Sequence, residues 1–279
     1  VLFWETRLSI ALLGSAILFT SGLLTVDKFI EFASLNIILF LVGMMIFVGF
    51  LEKNAFFEFL VSKLLTLVGG GCKRVVFLLM FLSALFAALV DEVTSILFML
   101  SIVLFLTAKL RVNPIPFVML TIFATNIGSS ATAVGNPVGV MIALNAKLSF
   151  SDFLVHATPI SFVALLVGML VTYLYFRKDI EEFAEKSRNV RVKDLIETHE
   201  TKSLALNAAL FFGVLLALVL HSQIEYWLNL EKNTMLLGTS LAAAGVVLLL
   251  EGQNARHVIE TKVDWWTLLF FIMLFASIG

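Results

Sequence analysis

Residues 126–137 read NIGSSATAVGNP, and they bring together amides at Asn126 and Asn136, hydroxyls at Ser129, Ser130 and Thr132, and the bare main chain of Gly128 and Gly135. Amide and carbonyl oxygens suit a hard cation such as sodium, for which Asn126 and Asn136 are the candidate ligands. Main-chain N–H groups at a helix start, helped by hydroxyls, suit an anion. A second stretch rich in chemistry is Asp91-Glu92-Val93-Thr94-Ser95, whose adjacent acids have long apolar runs on both sides. Burial in apolar surroundings favours the neutral carboxyl, so one of the pair is expected to carry a proton; a solvated acidic turn is the alternative.

The elements that must position these groups are membrane helices. The chain is 60% hydrophobic and 14% charged, with a mean hydropathy of +1.03, well above the apolar share of soluble domains. Apolar windows at 8–26, 35–51, 158–176, 204–220 and 235–250, and another opening at Trp265, approach the ~20 residues that cross a bilayer core. An all-α, multi-pass integral membrane protein of the plasma (inner) membrane is expected. The run at 8–24 lacks a strongly basic start and reads as a first span, not a leader. The sequence stops inside an apolar segment, so a fragment is expected, and one that does not transport alone.

Other classes fall away. A net charge of −1 offers no basic surface for nucleic acid. The lone Cys72 makes no internal disulfide. His156, His199, His221 and His257 are expected on loops as surface residues, leaving no base inside a span. No His-Glu-x-x-His or Gly-x-Ser-x-Gly pattern is present, and residues 68–74, VGGGCKR, miss the phosphate-loop spacing, so neither an enzyme nor an ATP-driven pump is expected. No cofactor is implied beyond a coupling sodium ion or proton.

The stretch at 126–137 interrupts apolar residues 115–124 and 138–143. Unwound main chain at bilayer depth survives only where it lines a cavity or is buried in protein, and a broken helix rich in small polar residues marks a secondary-transporter site. A Gly/Ser packing seam is the plainer reading, but it has no need of Asn126, Asn136 and Pro137. Around the acids, residues 75–90 and 93–108 are two runs of sixteen, each about 24 Å long as a helix and short of the ~30 Å slab. They read as a re-entrant hairpin with an acidic tip, or as two short spans with the acids in outside water.

Basic residues near span ends place loops 52–74, 109–113, 177–202 and 251–263 inside, and 27–34, 145–157 and 221–233 outside. The loop at 177–202 holds seven basic and seven acidic residues and reads as a solvated cytoplasmic connector, partly helical. Residues 36–49 are loosely echoed at 267–279 with the opposite sense of crossing, as an inverted repeat requires. The expected organisation is a first repeat over 1–176, a connector over 177–203, and a linking helix with the start of a second repeat over 204–279.

Three motifs in order, VGMMIFVGFLEKN (42–54), VDEVTSIL (90–97) and NIGSSATAVGNP, resemble the ion transporter superfamily. Within it the chain is most similar to the group of arsenite permeases, NhaD-type sodium/proton antiporters and citrate transporter-like proteins, which includes the melanosomal P protein. The resemblance implies two inverted halves, each with a re-entrant hairpin followed by a discontinuous helix. They meet at a midplane site in a transport domain that moves against a dimeric scaffold. It implies binding residues at Asp91, Glu92, Thr94 and Ser95 of the tip and at Asn126, Gly128, Ser129, Ser130, Thr132, Gly135 and Asn136 of the break. The family tip, commonly Asp-Asn-x-Thr or Ser-Asn-Thr, falls on Asp91-Glu92-Val93-Thr94, so a carboxylate replaces an amide. In the family pattern NIGGxATxIGxPPN, this chain puts Ser129, Val138 and Gly139 in place of Gly, Pro and Asn. The expected function is secondary active transport of a small anion, a carboxylate or oxyanion such as citrate or arsenite, coupled to sodium or protons as symporter or antiporter. A sodium/proton antiporter is the alternative, and a channel or scaffold ranks below both.

Overall fold

A computed structural model describes residues 5–68, 73–188 and 203–278. Cys72, His199, Gly279 and residues 189–202 of the connector lie outside them. Every regular element among the described residues is helical, as expected for a chain whose main chain must be paired without water. Among the described residues, five helical stretches are long and apolar enough to cross a membrane: α3 (Leu35–Lys53), α6 (Glu92–Leu110), α9 (Phe150–Tyr175), α11 (Leu204–Leu228), and α12 (Thr234–Glu251) running through a short 3-10 turn into α13 (Ala255–Lys262).

Several helices outrun the hydropathy windows. α9 begins at Phe150, not near residue 158, because Ser149 and Asp152 form a capping box: the Ser149 hydroxyl accepts the Asp152 N–H, and the Asp152 carboxylate accepts the Ser149 N–H. α4 (Phe56–Val68) occupies what read as a loop, with Phe56, Phe57, Val61 and Leu65 buried at helical spacing between Glu58 and Lys63. α2 (Val26–Phe32) likewise lies in an expected loop. The histidine expectation needs correction. His156 and His257 lie exposed in α9 and α13. His221 lies in α11 at 0% exposure, its Nδ1 2.7 Å from the Leu218 carbonyl oxygen. A one-turn link to its own helix lets the imidazole continue α11 past the apolar window.

The chain divides into two compact units, residues 1–49 with 236–279, and residues 50–235. In the first, α1 (Arg7–Thr20) and α14 (Trp265–Ile278) pack in the same direction. Arg7 Nη2 donates to Thr267 Oγ1 at 3.0 Å near their starts, and the Ser15 and Ser277 hydroxyls meet at 3.0 Å near their ends. That parallel sense agrees with the charge-based reading, in which both leave the same side.

The second unit holds α5 (Lys73–Leu89) and α6, joined by a tight turn at Val90 and Asp91. α5 lies along α7 (Ile115–Ser129), and α6 packs on both. Stacked Phe57 and Phe98 rings, with centroids 5.1 Å apart, and Phe86, 5.2 Å from Phe98, tie α4, α5 and α6 together. α8 (Pro137–Asn145) follows α7 after the non-helical residues 130–136. α10 (Arg177–Arg188) is not a fully solvated connector. Ile180, Phe183, Ala184 and Ser187, at i, i+3, i+4 and i+7, form a buried stripe on it.

Candidate functional site

The break is real but shorter than the sequence suggests. α7 stays helical through Ser129, so Asn126, Gly128 and Ser129 belong to its last turn, and 130–136 alone are unwound. Polar side chains do not unwind this turn because they bond back along it. Asn126 Nδ2 donates to the Ile122 carbonyl oxygen at 2.8 Å, and Ser129 Oγ lies 3.1 Å from the Asn126 carbonyl oxygen. At about 1.5 Å per residue α7 is about 22 Å long, which sets the break well inside a ~30 Å slab if α7 starts at its edge.

Two helix starts meet here. Asp91 caps α6, its Oδ1 accepting the Thr94 N–H at 2.8 Å. Asn136 caps α8, its Oδ1 accepting the Gly139 N–H at 2.8 Å, with Pro137 in the first turn. The Glu92 N–H donates to the Gly135 carbonyl oxygen at 2.9 Å, which seats the hairpin tip on the break. Ser129 Oγ donates to Glu92 Oε2 at 2.9 Å, and Asn136 Nδ2 reaches the Ser129 carbonyl oxygen at 3.1 Å and its Oγ at 3.2 Å. The Thr132 hydroxyl donates to the Ala88 carbonyl on α5. The positive ends of both helix dipoles therefore converge on one half-buried polar cluster.

The expected site residues divide into groups. Asp91, Glu92, Thr94, Ser129, Thr132, Gly135 and Asn136 come together at the tip and break. Ser95 lies one turn along α6 at 0% exposure, and its hydroxyl has no hydrogen-bond partner among the described residues. Gly128 serves close packing, since an added Cβ would fall inside the Ala84 carbonyl oxygen and Cα of α5; for this residue the plainer packing-seam reading describes the geometry. Ser130 turns toward α9, where its hydroxyl lies 3.0 Å from that of Ser161. The exposed Asn126 amide donates to the Ile122 carbonyl of its own helix, while Asn136 Oδ1 accepts the Gly139 N–H.

Some contributors are absent from the sequence reading. Thr158 on α9 donates to the Ala131 carbonyl oxygen at 2.8 Å, which pairs one unwound carbonyl. Ala84 and Ala88 let α5 approach α7, and their spacing of four opposite Gly128 is a small-residue signal that could have been read. Thr158 carries no such signal. On the α9 side of the break lies a cleft of about 140 Å³ walled by Phe81, Ala84, Ile127, Phe162 and Leu165.

The sequence matches the profile of a citrate transporter family, CitMHS, over residues 2–279. It is 32% identical over 245 residues to an uncharacterized transporter of Mycobacterium tuberculosis, an alignment covering 88% of this chain and 55% of that protein. It is 33% identical over 245 residues to a 46 kDa membrane protein of Mycobacterium leprae, again 88% and 55% of the two chains. Similarity extends to the P protein of Sus scrofa, 28% over 218 residues, 71% of this chain and 26% of that one. The chain thus spans about half the length of the mycobacterial relatives. With its apolar helices and its match from end to end, the chain belongs to the citrate transporter family.

Proposed function

We propose that the whole protein is a secondary active transporter, not an enzyme. It moves a small anion, a carboxylate or oxyanion such as citrate or arsenite, across the plasma (inner) membrane, coupled to sodium or protons. One observation carries this reading: the starts of α6 and α8 meet at unwound main chain, through the Glu92 N–H on the Gly135 carbonyl at 2.9 Å. Helix starts stabilise anions, while carboxylates and carbonyls among apolar helices stabilise a cation or a proton. Asp91 supplies the coupling charge, and Ser129, Thr132 and Asn136 supply the polar contacts. A dimeric scaffold, as the family resemblance implies, is the expected assembly.

The paired acids also favour a second reading, sodium/proton antiport without an anionic solute. Full-length protein in proteoliposomes separates the two by comparing radiolabelled citrate and arsenite uptake with sodium-driven pH change. Anion uptake that needs a sodium or proton gradient supports the proposal; pH change with neither anion moving supports antiport. An Asp91→Asn, Glu92→Gln double variant that kept full, equally coupled transport would remove both acids from the mechanism.

A further inference from the structure

The two tip acids do different things. Asp91 spends its Oδ1 on its own helix, through the Thr94 N–H. Glu92 reaches across to α7, where Oε2 accepts a hydrogen bond from the Ser129 hydroxyl at 2.9 Å. That hydroxyl also lies 3.2 Å from Asn136 Nδ2, which in turn bonds the Ser129 carbonyl. The Ser129 O–H and the Asn136 N–H are side-chain donors that a solute carboxylate or oxyanion would use at this break, and the hydroxyl already faces a carboxylate built into the chain.

We infer that Glu92 is a tethered occupant of the anion site, whose displacement sets the affinity for the transported anion. The inference rests on the anion-transport reading and deepens it. A covalent tether gives Glu92 a high effective concentration at Ser129. Two carboxylates repel each other at one site, so an incoming anion must both break the Ser129 bond and move the Glu92 charge aside. An amide at this position would lack that charge, so Glu92 tunes this chain toward weaker, more readily released anion binding.

Apparent KM and maximal rate for radiolabelled citrate, in proteoliposomes of the full-length protein, test the inference with two substitutions. Glu92→Gln keeps the shape and removes the charge. Glu92→Asp keeps the charge but is shorter by a methylene and withdraws from Ser129. Both are expected to lower KM about tenfold, the scale of one hydrogen bond to a charged acceptor. In parallel, citrate should raise the Tm of the purified variants at lower concentration than it does the wild type. Citrate uptake by the wild type with KM unchanged in both variants overturns the inference alone. So does loss of uptake in Glu92→Gln with wild-type behaviour in Glu92→Asp, because the charge would then be a working part of transport. Absence of uptake and of any Tm shift in wild type and variants alike removes the anion reading and this inference with it. If Glu92→Gln fails to fold, Glu92→Asp decides between the outcomes.

Discussion

The two ends of the α5–α6 hairpin are both held by charged residues, but on opposite terms. At the foot, Lys73 Nζ donates to Tyr173 at 3.0 Å and to Glu181 at 3.1 Å, Arg177 shares Glu181 at 3.0 Å, and Lys186 donates to the Arg111 carbonyl at 2.9 Å. Lys73, Glu181 and Arg177 are 41%, 43% and 64% exposed. Solvent-exposed pairs of this kind contribute little, so the packing of Phe183 on α10 against Phe117 on α7, centroids 4.9 Å apart, does most to fix the foot. At the tip Asp91, Glu92 and Asn136 are half-buried beside buried Ser129 and Thr132, and few bonds join Glu92 to the break. Hydrogen bonds strengthen as the local dielectric falls, so exchanging one partner there shifts the energy more than losing an ion pair at the foot. On the proposed reading, the foot stays put and the tip changes partners.

The largest expected effect attacks the seam between these ends. Gly128→Val would force a branched side chain into the Ala84 backbone, where no rotamer change relieves the overlap. The cost should exceed the ~1–3 kcal/mol of ordinary overpacking. Full-length Gly128→Val is expected to lose its monodisperse peak in size-exclusion chromatography. Gly213→Ala and Gly245→Ala, with open space around the added methyl, should elute like the wild type. A monodisperse Gly128→Val with wild-type Tm would mean that α5 and α7 do not touch here.

Next comes the foot's apolar anchor. Phe183 is 1% exposed, and Phe183→Ala should destabilise by about 3–5 kcal/mol, read as a lowered Tm that salt does not change. An unaltered Tm would put the anchoring back on the ion pairs. Third is the tip's partner. Asn136→Ala removes the cap of α8, worth about 1 kcal/mol, together with the Nδ2 contacts to Ser129. Asn136→Asp keeps a capping oxygen and loses the donor. Citrate uptake should therefore fall in both variants while Tm falls mainly in Asn136→Ala. Equal uptake in Asn136→Asp and wild type would confine Asn136 to capping.

The same contrast explains what was legible in the sequence. The start of α8 is encoded locally, by Asn136 as a capping residue and Pro137 as one favoured in a first helical turn, and Asp91 is a capping residue for α6, signals the sequence reading did not use. The end of α7 is not encoded locally, since Asn126 donates back to the preceding turn and Ser129 keeps a 3.1 Å contact there beside its bond to Glu92, and both leave the helix intact. Composition therefore overstated the break at its first edge only. α10 hid behind its charges although its apolar stripe was in register, and α4 hid behind Glu58 and Lys63. The meeting of Glu92 with Ser129 and Gly135 joins residues about forty positions apart, and no local pattern encodes it. The resemblance to known transporters placed both motifs at one site, and the geometry supplied the bonds between them.

The smallest expected effect tests the foot's charges directly. The Arg177 guanidinium, and then the Lys73 ammonium, hold the Glu181 carboxyl below the ordinary carboxylate range. A carboxyl depressed in the folded state contributes stability that is fully present above its unfolded value and is lost as pH falls through the depressed folded value. Glu181→Gln should therefore lower Tm slightly at pH 7 in low salt. The difference should close as the pH is taken down through the acid range, and also in about 1 M salt, where the screening length shrinks to about 3 Å. A Glu181→Gln loss as large as that of Phe183→Ala, persisting in high salt, would show that charge and not packing fixes the foot. The two ends of the hairpin would then be held by the same physics, and the tip's freedom to exchange partners would need another cause.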